Sequence, residues 1–392
     1  MKNITEIEIS NKRVLIRCDL DVPLSKGSAS LVVAEDTRLK CALETIIYAK
    51  SQGAKIIICG HLGRPKGKRV PEMSLAPVKD YFESKLGVKL LFIEDVFAED
   101  SLGKVNSMKS GDVCLLENIR YYPQEESDGS DLSDVLSSFA DVYVNDAFAT
   151  SHRAHASVFG AAKKIPTKVA GLTLKREMDY FDKAFKNPER PLAVIFGGAK
   201  VSTKLAAITN VSKFADKIFV GGAMANTFFA AQGHNVGKSL YEPDLLDTAK
   251  TILANPSCKL VLPVDVVLAK EFAANADSRE ALVEDIQNDE MALDIGSKSL
   301  EYFKLELSGV NTIVWNGPMG AFETPGFEIG TMGLINLIAS SSALSVVGGG
   351  DTDAALHMAG AEDKMSYVST AGGAFLELLE GKKLPAIEAL QE

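Results

Sequence analysis

Short apolar runs alternate with helix-period segments along the whole chain, and no other feature limits the fold as strongly. In the first half the runs fall at 13–17, 55–60, 112–116 and 141–144. In the second they fall at 192–196, 217–220, 260–264, 312–315, 344–347 and 365–368. Most are continuously apolar, the pattern of strands buried on both faces of a parallel sheet. Strand–helix alternation repeated this often predicts an α/β fold of doubly wound parallel sheets. At 392 residues the chain is long for one such domain and sufficient for two. An amphipathic helix is expected over 172–185, opened by Gly171 and stopped at Asn187-Pro188 and Pro191, since proline cannot continue a helix. The expected organisation is an N-terminal domain over 1–170, a connector helix over 171–187 and a C-terminal domain over 188–375.

Charge and cysteine usage narrow the function classes. A net charge of −10 speaks against a general nucleic-acid binder. Basic and acidic residues balance at 23 and 23 over 1–170 but stand at 19 and 29 over 171–392, so a cation cluster in the first half is a matter of placement. The five cysteines show no paired spacing and read as free thiols of a reducing cytoplasm. No run approaches the roughly 20 apolar residues of a membrane span, and residues 1–10 carry no signal-peptide pattern. A cytoplasmic protein without a membrane partner is expected.

Ligands of open α/β sheets bind beyond the carboxyl ends of the strands, and the two halves differ there. The first-half tips are polar and basic: Asp19-Leu20-Asp21, Gly60-His61-Leu62-Gly63-Arg64, Glu117-Asn118-Ile119-Arg120, and Asn145-Asp146 leading to His152-Arg153. With Arg38 at a helix start, the cationic set Arg38, His61, Arg64, Arg120 and Arg153 suits an anion, because the arginine fork matches phosphate and carboxylate. The second-half tips are glycine: Gly197-Gly198-Ala199-Lys200, Gly221-Gly222, Gly348-Gly349-Gly350-Asp351-Thr352 and Thr370-Ala371-Gly372-Gly373. Glycine before a helix lets backbone N–H groups approach phosphate oxygens. No G-x-x-x-x-G-K-[ST] occurs, and no strand leads into G-x-G-x-x-G with an acid about 20 positions on, which disfavours P-loop and dinucleotide enzymes. His152 and His155 lack a third neighbouring ligand, so a metal site there is not expected.

These blocks, with Trp315-Asn316-Gly317-Pro318 between them, make the chain similar to the phosphoglycerate kinases over essentially its whole length. The resemblance implies reversible phosphoryl transfer between MgATP or MgADP and 3-phosphoglycerate or 1,3-bisphosphoglycerate. It implies 3-phosphoglycerate binding by Asp19, Asp21, Arg38, His61, Arg64, Arg120 and Arg153. It places the nucleotide on Lys200, Lys204, Gly222, Asn316, Pro318, Glu323, Gly349, Gly350, Asp351 and Thr352, with Gly372 and Gly373 as a further phosphate loop and Asp351 on Mg²⁺. Arg38 and Lys200 are the implied catalytic charges, residues 376–392 are expected to return to the N-terminal domain, and a hinge-bending monomer is the implied assembly. Three positions depart from the family pattern: Asp21 stands where Asn is usual, and Ala149 and Ala371 where Gly is usual. The alanines imply backbone without positive φ. A different phosphotransferase, or a silent phospho-ligand binder on the same scaffold, are the competing readings, and the pairing of Lys200 with Asp351 disfavours the second.

Overall fold

The computed structural model describes residues 1–27, 30–254, 258–369 and 371–391. It divides into two compact units, Met1–Met178 with Lys383–Glu392, and Asp179–Lys382. Thr370, part of one expected glycine tip, lies outside the described residues.

In the first unit the strands are β1 (Arg13–Cys18), β2 (Leu24–Lys26), β3 (Leu31–Val33), β4 (Lys55–Cys59), β5 (Leu91–Ile93), β6 (Val113–Leu116), β7 (Val142–Asp146) and β8 (Thr167–Ala170). Six of them form one parallel sheet in the order β5-β6-β4-β1-β7-β8, while β2 and β3 make an antiparallel hairpin. Alternate residues Val14, Ile16, Ile56, Ile58, Val142 and Val144 enter one apolar core. The residues between them, including Leu15, Ile57 and Tyr143, are buried on the opposite face. Two covered faces explain why the runs read as unbroken apolar sequence.

The second unit contains β9 (Leu192–Phe196), β10 (Lys217–Val220), β11 (Lys259–Val261), β12 (Asp265–Ala269), β13 (Ser278–Leu282), β14 (Met291–Ile295), β15 (Thr312–Asn316), β16 (Leu344–Gly348) and β17 (Tyr367–Ser369). Its parallel sheet runs β11-β10-β9-β15-β16-β17, so the order reverses between β9 and β15. Both parallel sheets match the expected fold class. The three-stranded antiparallel sheet β13-β12-β14 is an addition that apolar periodicity does not reveal, because β13 is polar and largely exposed. The run expected over 260–264 forms a strand only to Val261, ahead of Pro263, which lacks a ladder donor.

The helix expected over 172–185 is α-helical from Leu172 to Phe181 and continues as a π-turn, Asp182–Lys186. The expected crossings were 170, 188 and 376, whereas contacts divide at 178/179 and 382/383. The helix Gly372–Leu379 stays with the second unit, where the Asn210 amide donates to the Leu379 carbonyl at 2.9 Å. The short helix Pro385–Ala389 closes on the first, through Ala386 N–H to the Ser151 carbonyl at 3.2 Å.

Candidate active site

Three strand tips and one helix start of the first unit meet around Asp19 and Asp21. β1 ends at Cys18, and Asp19 follows in a nearly buried position, its carboxylate 3.2 Å from an Arg38 guanidinium nitrogen. Burial pushes the Asp19 carboxyl up, with Arg38 and Arg17 pulling the other way. Arg38 sits in the first turn of the helix Thr37–Ser51 and also donates to the Asp21 carbonyl at 3.1 Å. The Asp21 carboxylate accepts the Gly63 N–H at 2.8 Å and lies 3.7 Å from His61 Nε2, which ties the β1 tip to the β4 tip. Arg120, in the 3-10 turn after β6, donates to the Gly63 carbonyl at 2.9 Å and is nearly buried. Its Nε is buried 3.6 Å from a Glu126 carboxylate oxygen, and its pKa is lowered by burial and by the neighbouring Arg17 and Arg153, with Glu126 opposing. Cations crowded this way suit an anion. Arg153 is half-buried and its Nε meets His152 Nε2 at 3.2 Å. Arg64 is exposed on the loop after β4, apart from these contacts. Ala149 lies within the 3-10 turn Phe148–Thr150 and Ala371 has φ −122°, so neither position uses positive φ.

At the β9/β15 switch point of the second unit the tips are laced together. Gly197 N–H donates to the Asn316 carbonyl (3.0 Å) and Gly198 N–H to the Pro318 carbonyl (2.8 Å). The Asn316 side chain donates to the Gly348 carbonyl at 2.7 Å, and Thr352 Oγ1 accepts the Gly317 N–H at 2.7 Å. Asn316 and Thr352 therefore shape the tips, and both are buried. Lys204 Nζ bridges the same two tips, donating to the carbonyls of Gly197 (2.5 Å) and Asn316 (2.9 Å). Burial brings its pKa down to about 8, opposed by Asp351. A desolvated ammonium resting on neutral oxygens is electrostatically unfinished, and a phosphate would complete it.

Beside Lys204 opens a cavity of about 390 Å³, entirely within this unit, lined among others by Gly198, Gly222, Pro318, Glu323 and Asp351. Gly349 has φ +109° and precedes the helix Gly350–Ala359, turning the backbone in a way that side chains resist. Asp351 stands exposed in the first turn of that helix and makes no capping bond, the N-cap being Gly349. Lys200 is exposed on the loop after β9, and that loop is pinned where Ser202 Oγ and N–H meet the Glu242 carboxylate at 2.5 and 2.9 Å. A Cβ on Gly372 would lie 3.2 Å from Gly349 Cα, so the two glycine loops touch. Gly373 is inside the helix Gly372–Leu379.

The cavity's apolar wall was not anticipated. Leu240, Phe272, Met291 and Leu293 line it, and Phe272 keeps 60% of its surface exposed. A large apolar side chain left open beside a polar slot suits a flat ring, but Leu240 and Phe272 lie in irregular segments with no periodicity to mark them.

A family model described as phosphoglycerate kinase matches residues 4–382. A phosphoglycerate kinase of Syntrophobacter fumaroxidans is 47% identical over 395 residues, covering 100% of this chain and 99% of the relative. One from Desulfotalea psychrophila is 46% identical and covers 100% of both. Among solved structures, the phosphoglycerate kinase of Coxiella burnetii superposes with a TM-score of 0.92 at 40% identity, covering 99% of this chain and 98% of that one. With this coverage, the chain belongs to the phosphoglycerate kinases, which catalyse reversible phosphoryl transfer in glycolysis.

Proposed function

We propose that the first unit binds 3-phosphoglycerate through Asp19, Asp21, Arg38, His61, Arg64, Arg120 and Arg153, and that the cavity of the second binds MgATP or MgADP. The observation that carries this reading is Lys204, an ammonium held by two carbonyl oxygens at a sheet switch point beside an open cavity. The glycine tips would present N–H groups to the nucleotide phosphates, and the wall of Leu240, Phe272, Met291 and Leu293 would take the base. Glu323, exposed at the rim, suits ribose hydroxyls. Asp351 is the carboxylate that would hold Mg²⁺. Among the described residues no three His, Cys, Asp or Glu gather to bind a metal alone, which fits a hard cation that takes most of its oxygens from phosphate and water. When bound, Mg²⁺ would neutralise phosphate charge.

The acceptor is a carboxylate, ionised at pH 7, so no base need remove a proton. Catalysis then rests on in-line placement and on positive charge around the equatorial oxygens. Arg38 and Lys200 are the groups we assign to that charge. Because acceptor and nucleotide are held on separate units, transfer requires closure that brings them together and excludes water. A monomer suffices for this. In Lys200→Ala, kcat should fall by about 10²–10³ while nucleotide Kd stays within a few-fold, as for loss of one transition-state contact. Coupled steady-state assays beside ADP titrations check it, and an unchanged kcat with a raised KM would overturn the assignment.

A further inference from the structure

Arg17, in β1, is 0% exposed. A guanidinium taken out of water needs its donors filled, and it can only donate. Nε donates to Ser157 Oγ at 2.9 Å, one terminal nitrogen donates to the Cys18 carbonyl, and the other lies 3.0 Å from His61 Nδ1. Since Arg17 cannot accept, Nδ1 must, and the imidazole proton of neutral His61 is left on Nε2, the nitrogen that faces Asp21. Ser157 is directed in turn. Its hydroxyl donates to Glu125 Oε1 at 2.6 Å and its N–H to Oε2 at 2.9 Å, so its lone pairs are what remains for Arg17. Glu125 is itself 0% exposed. Burial pushes the Glu125 carboxyl up, while Arg17 and the two bonds from Ser157 pull it down; with Glu125 ionised, every bond in the chain Glu125–Ser157–Arg17–His61 has one direction.

We propose that Glu125, Ser157 and Arg17 act as a buried positioning relay that presents His61 to the anion pocket as a neutral Nε2–H donor. The inference rests on the reading of His61 as a substrate contact. Arg17 is too deeply buried to be a ligand itself and acts through the imidazole. The surroundings agree from each side. Arg17 on β1, Arg120 after β6, and Arg153 and His155 after β7 all face His61, against one carboxylate, Asp21. Burial first, and then these cations, hold the His61 pKa well below the usual histidine value.

Nitrogen–proton correlation NMR of the full-length protein reads the tautomer, and with five histidines in the chain the His61 signals are assignable from His61→Gln. The expected result is neutral, Nε2-protonated His61 from pH 8 down through the ordinary histidine value of about 6.5. An Nδ1-protonated ring, or an imidazolium at pH 6.5, would overturn the relay. Arg17→Met combined with Glu125→Gln removes one buried charge of each sign, and should raise the His61 pKa towards the ordinary value of about 6.5. The ratio of variant to parent KM for 3-phosphoglycerate, in which the substrate's own titration cancels, should then be about tenfold at pH 7.5 and fall at least threefold by pH 6. In that double variant, a flat ratio with an unmoved His61 pKa overturns the proposal. If it does not fold, Ser157→Ala, which releases Arg17 from its anchor while leaving its charge, should raise the KM ratio at pH 7.5 and admit the Nδ1-protonated tautomer of His61; the absence of both changes overturns the relay. Should His61→Ala leave KM unchanged while the tautomer is as expected, the underlying reading of the site is what fails, and the relay's role in binding fails with it.

Discussion

Asp21 shows how one side chain carries both a local and a functional load. Its carboxylate accepts the Gly63 N–H and faces His61, so it holds two loops together while placing negative charge beside the pocket proposed for 3-phosphoglycerate. Asparagine would keep the bond to Gly63 through its oxygen, remove the charge, and offer an N–H₂ to the substrate. Asp21→Asn should therefore lower KM for 3-phosphoglycerate about three- to tenfold, with kcat and KM for ATP little changed. Steady-state kinetics decide it, and a raised KM would mean that the carboxylate's grip on the two loops outweighs its repulsion. Asp351 does not cap its helix, because Gly349 occupies the N-cap and Asp351 is the second residue inside the helix Gly350–Ala359. Asp351→Asn should weaken ADP binding about tenfold or more in Mg²⁺ and hardly at all in chelator. Calorimetric titrations with and without the metal test this, equal losses in both being the adverse result.

At the scale of elements, two buried carboxylates anchor helices to strand ends. Asp146, the last residue of β7, accepts N–H bonds from Thr173 (2.8 Å) and Leu174 (3.1 Å) at the start of the helix Leu172–Phe181, and burial brings its pKa up to about 6. Asp294 in β14 accepts from Gly330 at 2.6 Å, in the first turn of the helix Ile329–Ala339, and from Ile295 at 2.9 Å; burial brings its pKa up to about 7. A carboxyl whose folded pKa exceeds its unfolded value holds an extra proton in the folded state between the two. Its contribution to stability is complete below the unfolded value of 3.8 and is lost as pH rises to about 7. The loss is on the order of 4 kcal/mol for such a shift. Asp294→Asn should flatten the decline of Tm between pH 4 and 7 relative to the parent, as followed by thermal melts. An identical pH slope in both proteins would show that Asp294 titrates normally.

For the whole molecule, the chain builds two units and then returns to the first, where its final helix meets the Ser151 carbonyl two residues from Arg153. The loop that presents Arg153 is thus supported by the C-terminal end of the sequence. With acceptor and nucleotide assigned to different units, neither ligand alone has reason to draw them together. Small-angle scattering should register a smaller radius of gyration only with both substrates present. Equal radii for the free and ternary states would count against closure.

Fold class and family were legible in the sequence because both rest on local pattern. Most of the apolar runs recorded strands covered on two faces, and the basic and glycine tips are the sequence basis for the chemistry proposed for each sheet. Asp19, Arg38, His61 and Arg120 could be named from motifs, but their mutual bonds could not, since these join positions 17 to 57 residues apart in sequence. The polar strand β13, the apolar wall of Leu240 and Phe272, and the direction of the Glu125–Ser157–Arg17–His61 chain left no periodic trace. Each depends on which atoms tertiary packing brings within hydrogen-bond or van der Waals range. Burial completes the division: a motif can specify that position 17 is arginine and position 204 lysine, but only the folded chain removes them from water and so decides what their charges must do.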